Sequence, residues 1–151
     1  MRRSFLKIVA ATGAVLLVAG CAATGAKHQE MAGSIPSLKA GEGRIYFYRQ
    51  STMGGAALAP DVKLNKDVVG HARTGGFFYV DRPAGSYVAT STTETEKTLT
   101  FSLAPGETKY VRMYVTMGVF SGRMNLEVVP PAQGRSELAS LSYIGKPVAS
   151  K

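Results

Sequence analysis

The sequence holds one cysteine, Cys21. A lone thiol cannot close an intramolecular disulfide and cannot supply the several thiolates of a structural zinc site. Histidine is nearly as scarce, with His28 and His71 alone. Acidic residues number 10 against 18 Lys and Arg, so the net charge is +8. No apolar run reaches the ~20 residues that a membrane-spanning helix requires. There is no G-x-S-x-G elbow, H-E-x-x-H pair, phosphate loop or dinucleotide fingerprint, and no cofactor or metal is expected. What remains is 151 residues, 45% hydrophobic, with 17 Gly and 7 Pro. That is one ordinary domain with a core and many turns, which excludes wholesale disorder and collagen-like repeats.

The first twenty residues read as an export signal. Arg2, Arg3 and Lys7 stand without an acidic neighbour, and residues 8–17 are apolar except for Thr12 and Gly13. A charged start followed by a short apolar stretch is the pattern of a secretory signal. It ends in Leu17-Val18-Ala19-Gly20-Cys21, which resembles the lipobox of bacterial lipoproteins, in which the thiol is acylated and the chain cut before it. Arg2-Arg3-Ser4-Phe5-Leu6-Lys7 also resembles the twin-arginine motif R-R-x-F-L-K. An ordinary secretion signal uses the same basic residues, and both routes stay open. Loss of residues 1–20 leaves 131 residues, and the net charge falls from +8 to +5.

Residues 21–42 are rich in Ala, Gly and Ser and read as the lipidated cysteine and a flexible tether, with a reach of roughly 25 Å. Ile35, Pro36 and Leu38 could alternatively dock on the domain. From residue 43 the period becomes two. Residues 44–49 are aromatic and β-branched; Val62-Lys63-Leu64 and Val68-Val69 flank a turn at Asn65-Lys66-Asp67; Pro83-Ala84-Gly85 leads into Tyr87-Val88-Ala89. Residues 98–103 alternate polar and apolar without a break, so Leu99, Phe101 and Leu103 share a buried face. Val111, Met113, Val115 and Met117 alternate with Tyr110, Arg112, Tyr114 and Thr116. A last strand is expected over residues 124–129 and a short helix over 136–141. Seven or eight short strands with turn chemistry between them predict an all-β protein, a single antiparallel sandwich over residues 43–145 with a tail at 146–151. The expected core is Ile45, Phe47, Leu99, Phe101, Leu103, Val111, Met113 and Val115.

Gly43-Arg44-Ile45-Tyr46-Phe47-Tyr48-Arg49, Val69-Gly70, Phe78-Tyr79-Val80 and Pro83-Ala84-Gly85-Ser86-Tyr87 together resemble a domain-of-unknown-function family of short bacterial envelope lipoproteins, over roughly residues 38–130. The resemblance implies a sandwich on a lipid anchor and supplies no catalytic residues. Ala22 after the cysteine, rather than Asp, is similar to outer-membrane sorting in organisms with two membranes, with the domain facing the periplasm.

Candidate chemistry is sparse. His71 reads as a surface residue at a strand end, and Glu94 and Glu96 as part of a solvated hairpin tip. Met113 and Met117 read as core rather than soft metal ligands. Nucleic acid is an unsuitable partner for an exported chain without a basic stripe. One pattern stands out: Arg44, Tyr46 and Tyr48 share a strand face, as do Tyr110, Arg112 and Tyr114. Such surfaces suit binding, and equally suit cross-strand packing. The expected function is a non-enzymatic, lipid-anchored envelope protein whose sandwich is an interaction or structural module. The alternative is a binding protein for an anionic envelope component such as a glycolipid, lipid headgroup or polymer, motivated by the net charge of +5 and the Tyr and Arg faces.

Overall fold

The computed structural model describes residues 23–146. The signal residues Arg2, Arg3, Phe5, Leu6, Lys7, Leu17, Val18, Ala19 and Gly20, the lipidation candidate Cys21, and residues 147–151 lie outside the described part. In chain order come a one-turn helix α1 (His28–Met31), a 3-10 turn (Ala32–Ser34), β1 (Glu42–Arg49), β2 (Asp61–Leu64), β3 (Asp67–His71), β4 (Gly76–Pro83), β5 (Gly85–Thr92), β6 (Glu96–Leu103), β7 (Thr108–Met117), β8 (Gly122–Val129), α2 (Pro131–Leu138) and β9 (Ser142–Tyr143). The strands form two sheets, ordered β8-β7-β1-β4-β9 and β3-β2-β5-β6. They stack as a sandwich, as the alternation of residues 98–103 and 110–117 predicts.

The inner faces meet in one core of Ile45, Phe47, Val62, Leu64, Ala72, Phe78, Ala89, Phe101, Leu103, Val111, Met113 and Met124. Leu99 and Val115 pack at its margin, only partly buried. Each core residue within a strand sits at that strand's apolar parity, since a one-residue slip would turn Arg44 or Thr100 inward, and Ala72 follows the end of β3. Phe47 and Phe78, directly paired across β1 and β4, stack with ring centroids 5.1 Å apart. Met117 departs from the expected core. It is 94% exposed, because β7 runs on past the end of β1, where no second sheet covers it.

Several expectations change in detail. The sandwich is not wholly antiparallel: β1 pairs β7 in parallel, and β4 pairs β9 in parallel. A parallel pair needs a crossover, and the β2–β6 part of the chain, which includes the whole second sheet, supplies it. The Asn65-Lys66-Asp67 turn is shorter than expected, because Asp67 already pairs with Leu64. Asn65 (φ 48°) and Lys66 (φ 77°) are both left-handed, as a two-residue hairpin with the right twist demands. The C-terminal helix starts five residues before residue 136. Pro131 is its first residue, where proline's fixed φ and missing N–H carry no penalty.

The largest correction concerns residues 23–41. They do not run free. His28 N–H bonds to Leu141 O (3.0 Å), Tyr143 N–H to Ala26 O (2.8 Å), and the Lys27 ammonium to Ser142 Oγ (2.8 Å). Met31 and Ile35 pack on a second core of Tyr46, Tyr48, Phe77, Tyr110, Val129, Leu138 and Leu141. The outer face of the five-stranded sheet is therefore covered by the N-terminal segment, α2 and the chain that follows.

Gly134 sets the depth at which α2 sits. A Cβ there would drive into Tyr110 Cγ and lie 2.5 Å from its Cβ, against the stiff base of a buried ring. Gly134→Ala gains about 1 kcal/mol of helix propensity and loses ~1–3 kcal/mol to overpacking. The expected net result is a lower urea midpoint; an unchanged or higher midpoint would show that α2 is free to lift from the sheet.

Candidate functional site

The six residues of the aromatic and arginine faces come together, but not as an open surface. β1 and β7 are neighbours, with Tyr46 opposite Tyr110 and Tyr48 opposite Arg112. The Tyr46 and Tyr110 rings stack at 5.5 Å and 10°. Yet Arg44, Tyr46, Tyr48 and Tyr110 are all buried. The reason is the cover described above: an apolar layer of Met31, Ile35, Leu138 and Leu141 lies on the ring faces, and each guanidinium and the Tyr48 hydroxyl find partners inside. Of the six, Tyr114 alone is exposed, with the Arg112 guanidinium 5.8 Å from its ring centre.

The two guanidiniums are already engaged. Arg44 forks to Asp81 through Nε and Nη2, both at 2.7 Å, and Nη2 also donates to Pro36 O. The bond to Asp81 holds the Arg44 guanidinium above its ordinary value against the opposing effect of burial. Arg112 pairs with Glu127 and reaches Glu137 at 3.2 Å. Glu137 also accepts the Tyr48 hydroxyl at 2.6 Å and Gln133 Nε2 at 2.9 Å. Burial alone would push the Glu137 carboxyl up; the donors from Tyr48, Gln133 and Arg112 outweigh it, and it sits below its ordinary value. Burial, then Glu137, push the Tyr48 hydroxyl well up. These are the satisfied polar ends of a core.

His28, read as part of the tether, stands edge-on to Tyr46 (5.5 Å) and Phe77 (5.3 Å), and burial lowers its pKa. His71 is exposed at the end of β3, with Nδ1 2.9 Å from Asp61 Oδ1. Among the described residues no group of three or more His, Cys, Asp or Glu could hold a metal ion. An open polar cleft of about 500 Å³ runs between the N-terminal segment and α2, lined in part by Lys27, Gln50, Thr52, Glu137 and Ser140. Its carboxylate is the one already taken by Tyr48, Arg112 and Gln133.

The surface that is open lies at one end of the sandwich. Arg49 pairs with Gly76 and Tyr48 with Arg112, so the C-terminal end of β1, the start of β4 and the β7–β8 hairpin point the same way. Ser91 opposite Val62 and Thr92 opposite Glu96 bring the β5–β6 turn to that end too. Here sit Met53 (95% exposed), Met117 (94%), Val119 (73%) and Phe120 (94%), the four most exposed large apolar side chains among the described residues.

Two charged side chains, Arg49 and Glu94, build this end. Arg49 is buried on the inward parity of β1. Its Nη1 donates to Leu58 O (2.7 Å) and Ala72 O (2.9 Å), and its Nη2 to Gly55 O (2.7 Å). Burial without a carboxylate lowers its pKa, and Nε has no partner. The cation thus ties the loop after β1 to the residue that follows β3. The available signal was an arginine on the same parity as Ile45 and Phe47.

Glu94 corrects the reading of a solvated tip. Its carboxylate accepts the backbone N–H groups of Val119 (2.9 Å), Phe120 (2.9 Å) and Ser121 (3.1 Å), and Nε of Arg123 (2.9 Å). A turn of one sheet is clamped onto a turn of the other, and Val119 and Phe120 are held outward by their own backbone. No spacing rule links residue 94 to residues 119–121. An acid between threonines in a tight turn was the only hint.

The N–H groups of Phe120, Ser121 and Val119, with Arg123, hold the Glu94 carboxyl at about 2, well below the ~4.3 of a free glutamate. A depressed carboxyl contributes stability above the unfolded value, lost as pH falls through the folded one. Glu94→Gln should therefore lower the melting temperature at pH 7, with the gap to the wild type closing between about pH 4.5 and pH 2. Amide exchange at residues 119–121 should also accelerate at neutral pH. A constant gap across that range would show that the carboxylate charge is not what holds the turn.

Over residues 39–124 the chain matches the family described as "Protein of unknown function (DUF2846)". An uncharacterized protein of Haemophilus influenzae is 28% identical over 134 residues, which cover 86% of this chain and 79% of that protein. No solved structure matches. The matched span begins just before β1 and ends inside β8, so it holds Arg49, Met53, Glu94, Met117 and Phe120 and leaves out α2, β9 and the N-terminal cover. By a match over more than half its length, the chain belongs to the DUF2846 family.

Proposed function

We propose that this chain is an exported lipoprotein of the cell envelope, anchored through Cys21, whose sandwich is a non-catalytic interaction module. The observation that carries the reading is the position of the one cysteine, directly after a basic start, a short apolar stretch and Val18-Ala19-Gly20. Two or more acyl chains at that residue anchor a protein stably, since each buried CH2 contributes about 0.8 kcal/mol and a single chain is marginal. Among the described residues no helix is long and apolar enough to cross a membrane. In a cell with two membranes, Ala22 favours the outer one, with the domain in the periplasm.

The interaction role is supported by what is exposed: a rigidly framed apolar end rather than a deep polar pocket. Large apolar side chains exposed together on a folded surface mark contact sites. Recognition of an anionic component is less well supported, because Arg44 and Arg112 are already paired with carboxylates.

Cys21→Ser should accumulate as uncleaved precursor or as soluble protein, while the wild type fractionates with membranes and carries acyl mass on residue 21. A processed Cys21→Ser chain that stays with the membranes would overturn the anchor.

A further inference from the structure

We propose that the apolar end of the sandwich, Met53, Met117, Val119 and Phe120, rests in the lipid surface to which Cys21 is anchored, so that the domain stands on its membrane with the long axis of its strands upright. The inference rests on the lipid-anchor reading above and adds the orientation and the residues that touch lipid.

The argument begins where the chain enters the domain. Ala23 donates its N–H to Thr74 O at 3.3 Å, and its Cβ borders Gly76. The Thr74 hydroxyl also bonds to Thr52 N and Gln50 O. The entry point is thus stitched to the loop after β1 and to the start of β4, at the end that carries the exposed apolar residues. Between Ala23 and Cys21 lies one residue, and two peptide steps reach at most about 7 Å. An anchor at Cys21 gives the domain little freedom to choose another face.

The same end reaches out in the right direction. Met117 is five positions past Arg112, whose partner Tyr48 lies one residue before the end of β1. At about 3.3 Å per residue the β7–β8 hairpin projects roughly 15 Å beyond that level. Sheet order places β7 two strands from β4, so the hairpin and the entry point are separated sideways by only about 10 Å. Arg73, exposed beside Thr74, puts a cation at the height where headgroup phosphates would lie.

Finally, the hairpin tip is built to keep its apolar side chains out. The backbone N–H groups of Val119, Phe120 and Ser121 are taken by Glu94, so the turn can enter the polar boundary of a bilayer without stranding donors. An apolar tip free to fold back would cover itself; this one is prevented from doing so.

The test uses the chain's lack of tryptophan and its single cysteine. A chain of residues 21–151 retains every described residue and both cores. Carrying Phe120→Trp, it is coupled through the Cys21 thiol to vesicles of phosphatidylethanolamine and phosphatidylglycerol that contain a maleimide lipid. Coupling by maleimide makes the result independent of whether the cell acylates Cys21, which the mass of the cell-derived protein reports separately. The expected result for the Phe120→Trp chain is a blue-shifted indole emission, quenched by lipids brominated near the headgroup end of the acyl chains. Val68→Trp, at an exposed position toward the opposite end, should keep a water-like, unquenched emission. A water-like emission from the Phe120→Trp chain on coupled vesicles overturns the proposal. So does a blue shift that appears without vesicles and grows with protein concentration, which would assign this end to a second copy of the chain.

Discussion

Strand β1 has no solvent side. It is the middle strand of the five, and from Gly43 to Arg49 every residue is buried. Ile45 and Phe47 face the second sheet; Tyr46 and Tyr48 face outward, and burying a large apolar side chain is worth about 1.5–3 kcal/mol. The N-terminal segment and α2 are the consequence. Without them Tyr46, Tyr110, Tyr48 and Phe77 would form a greasy outer wall, the Tyr48 hydroxyl would lose Glu137, and the Arg44 guanidinium would lose Pro36. The two coverings also depend on each other, since residues 26–28 bond to residues 141–143. The described chain therefore closes on itself over its central strand.

The end that carries the exposed apolar residues directs its charges at backbone. Arg49 gives its donors to three carbonyls, and Glu94 accepts from three amides. Neither depends mainly on an oppositely charged side chain. Charge-assisted bonds to backbone are short and directional, and here they fix loops that have little apolar area of their own to bury. At the opposite end Glu107 accepts the Ala104 N–H in the turn between β6 and β7, and Asn65 and Lys66 adopt the left-handed conformations of a tight hairpin.

Much of this is legible in the residues alone. The alternation at residues 98–103 places Phe101 and Leu103 inward, and the Asn65-Lys66 turn and the corner at Pro83-Ala84-Gly85 announce themselves by residue type. Period-two reading fails at Tyr46, Tyr48 and Tyr110 for a definite reason: it tells which residues share a face, not whether a third layer lies upon it. The cover is hard to see because it is assembled from a four-residue helix, a 3-10 turn and a helix with a glycine in its middle, none of which has a strong period. The roles of Glu94 and Arg49 escape the sequence because most of their partners are backbone atoms, for which a sequence shows no residue preference. Met117 shows the opposite limit, since its alternation is correct and the covering sheet simply ends before it.

The parallel pairing of β1 with β7 reaches beyond architecture into time. Arg44 meets Thr108, and between them lies the whole second sheet. Contacts so distant in sequence form late, because the loop must be closed before any of its bonds offset the ordering. Until β7 arrives, β1 has β4 on one edge and nothing on the other, and an open aromatic edge is the template on which strands of other chains add. The place of its most aromatic strand at the beginning of the domain thus leaves one edge of β1 open until the second sheet has been made.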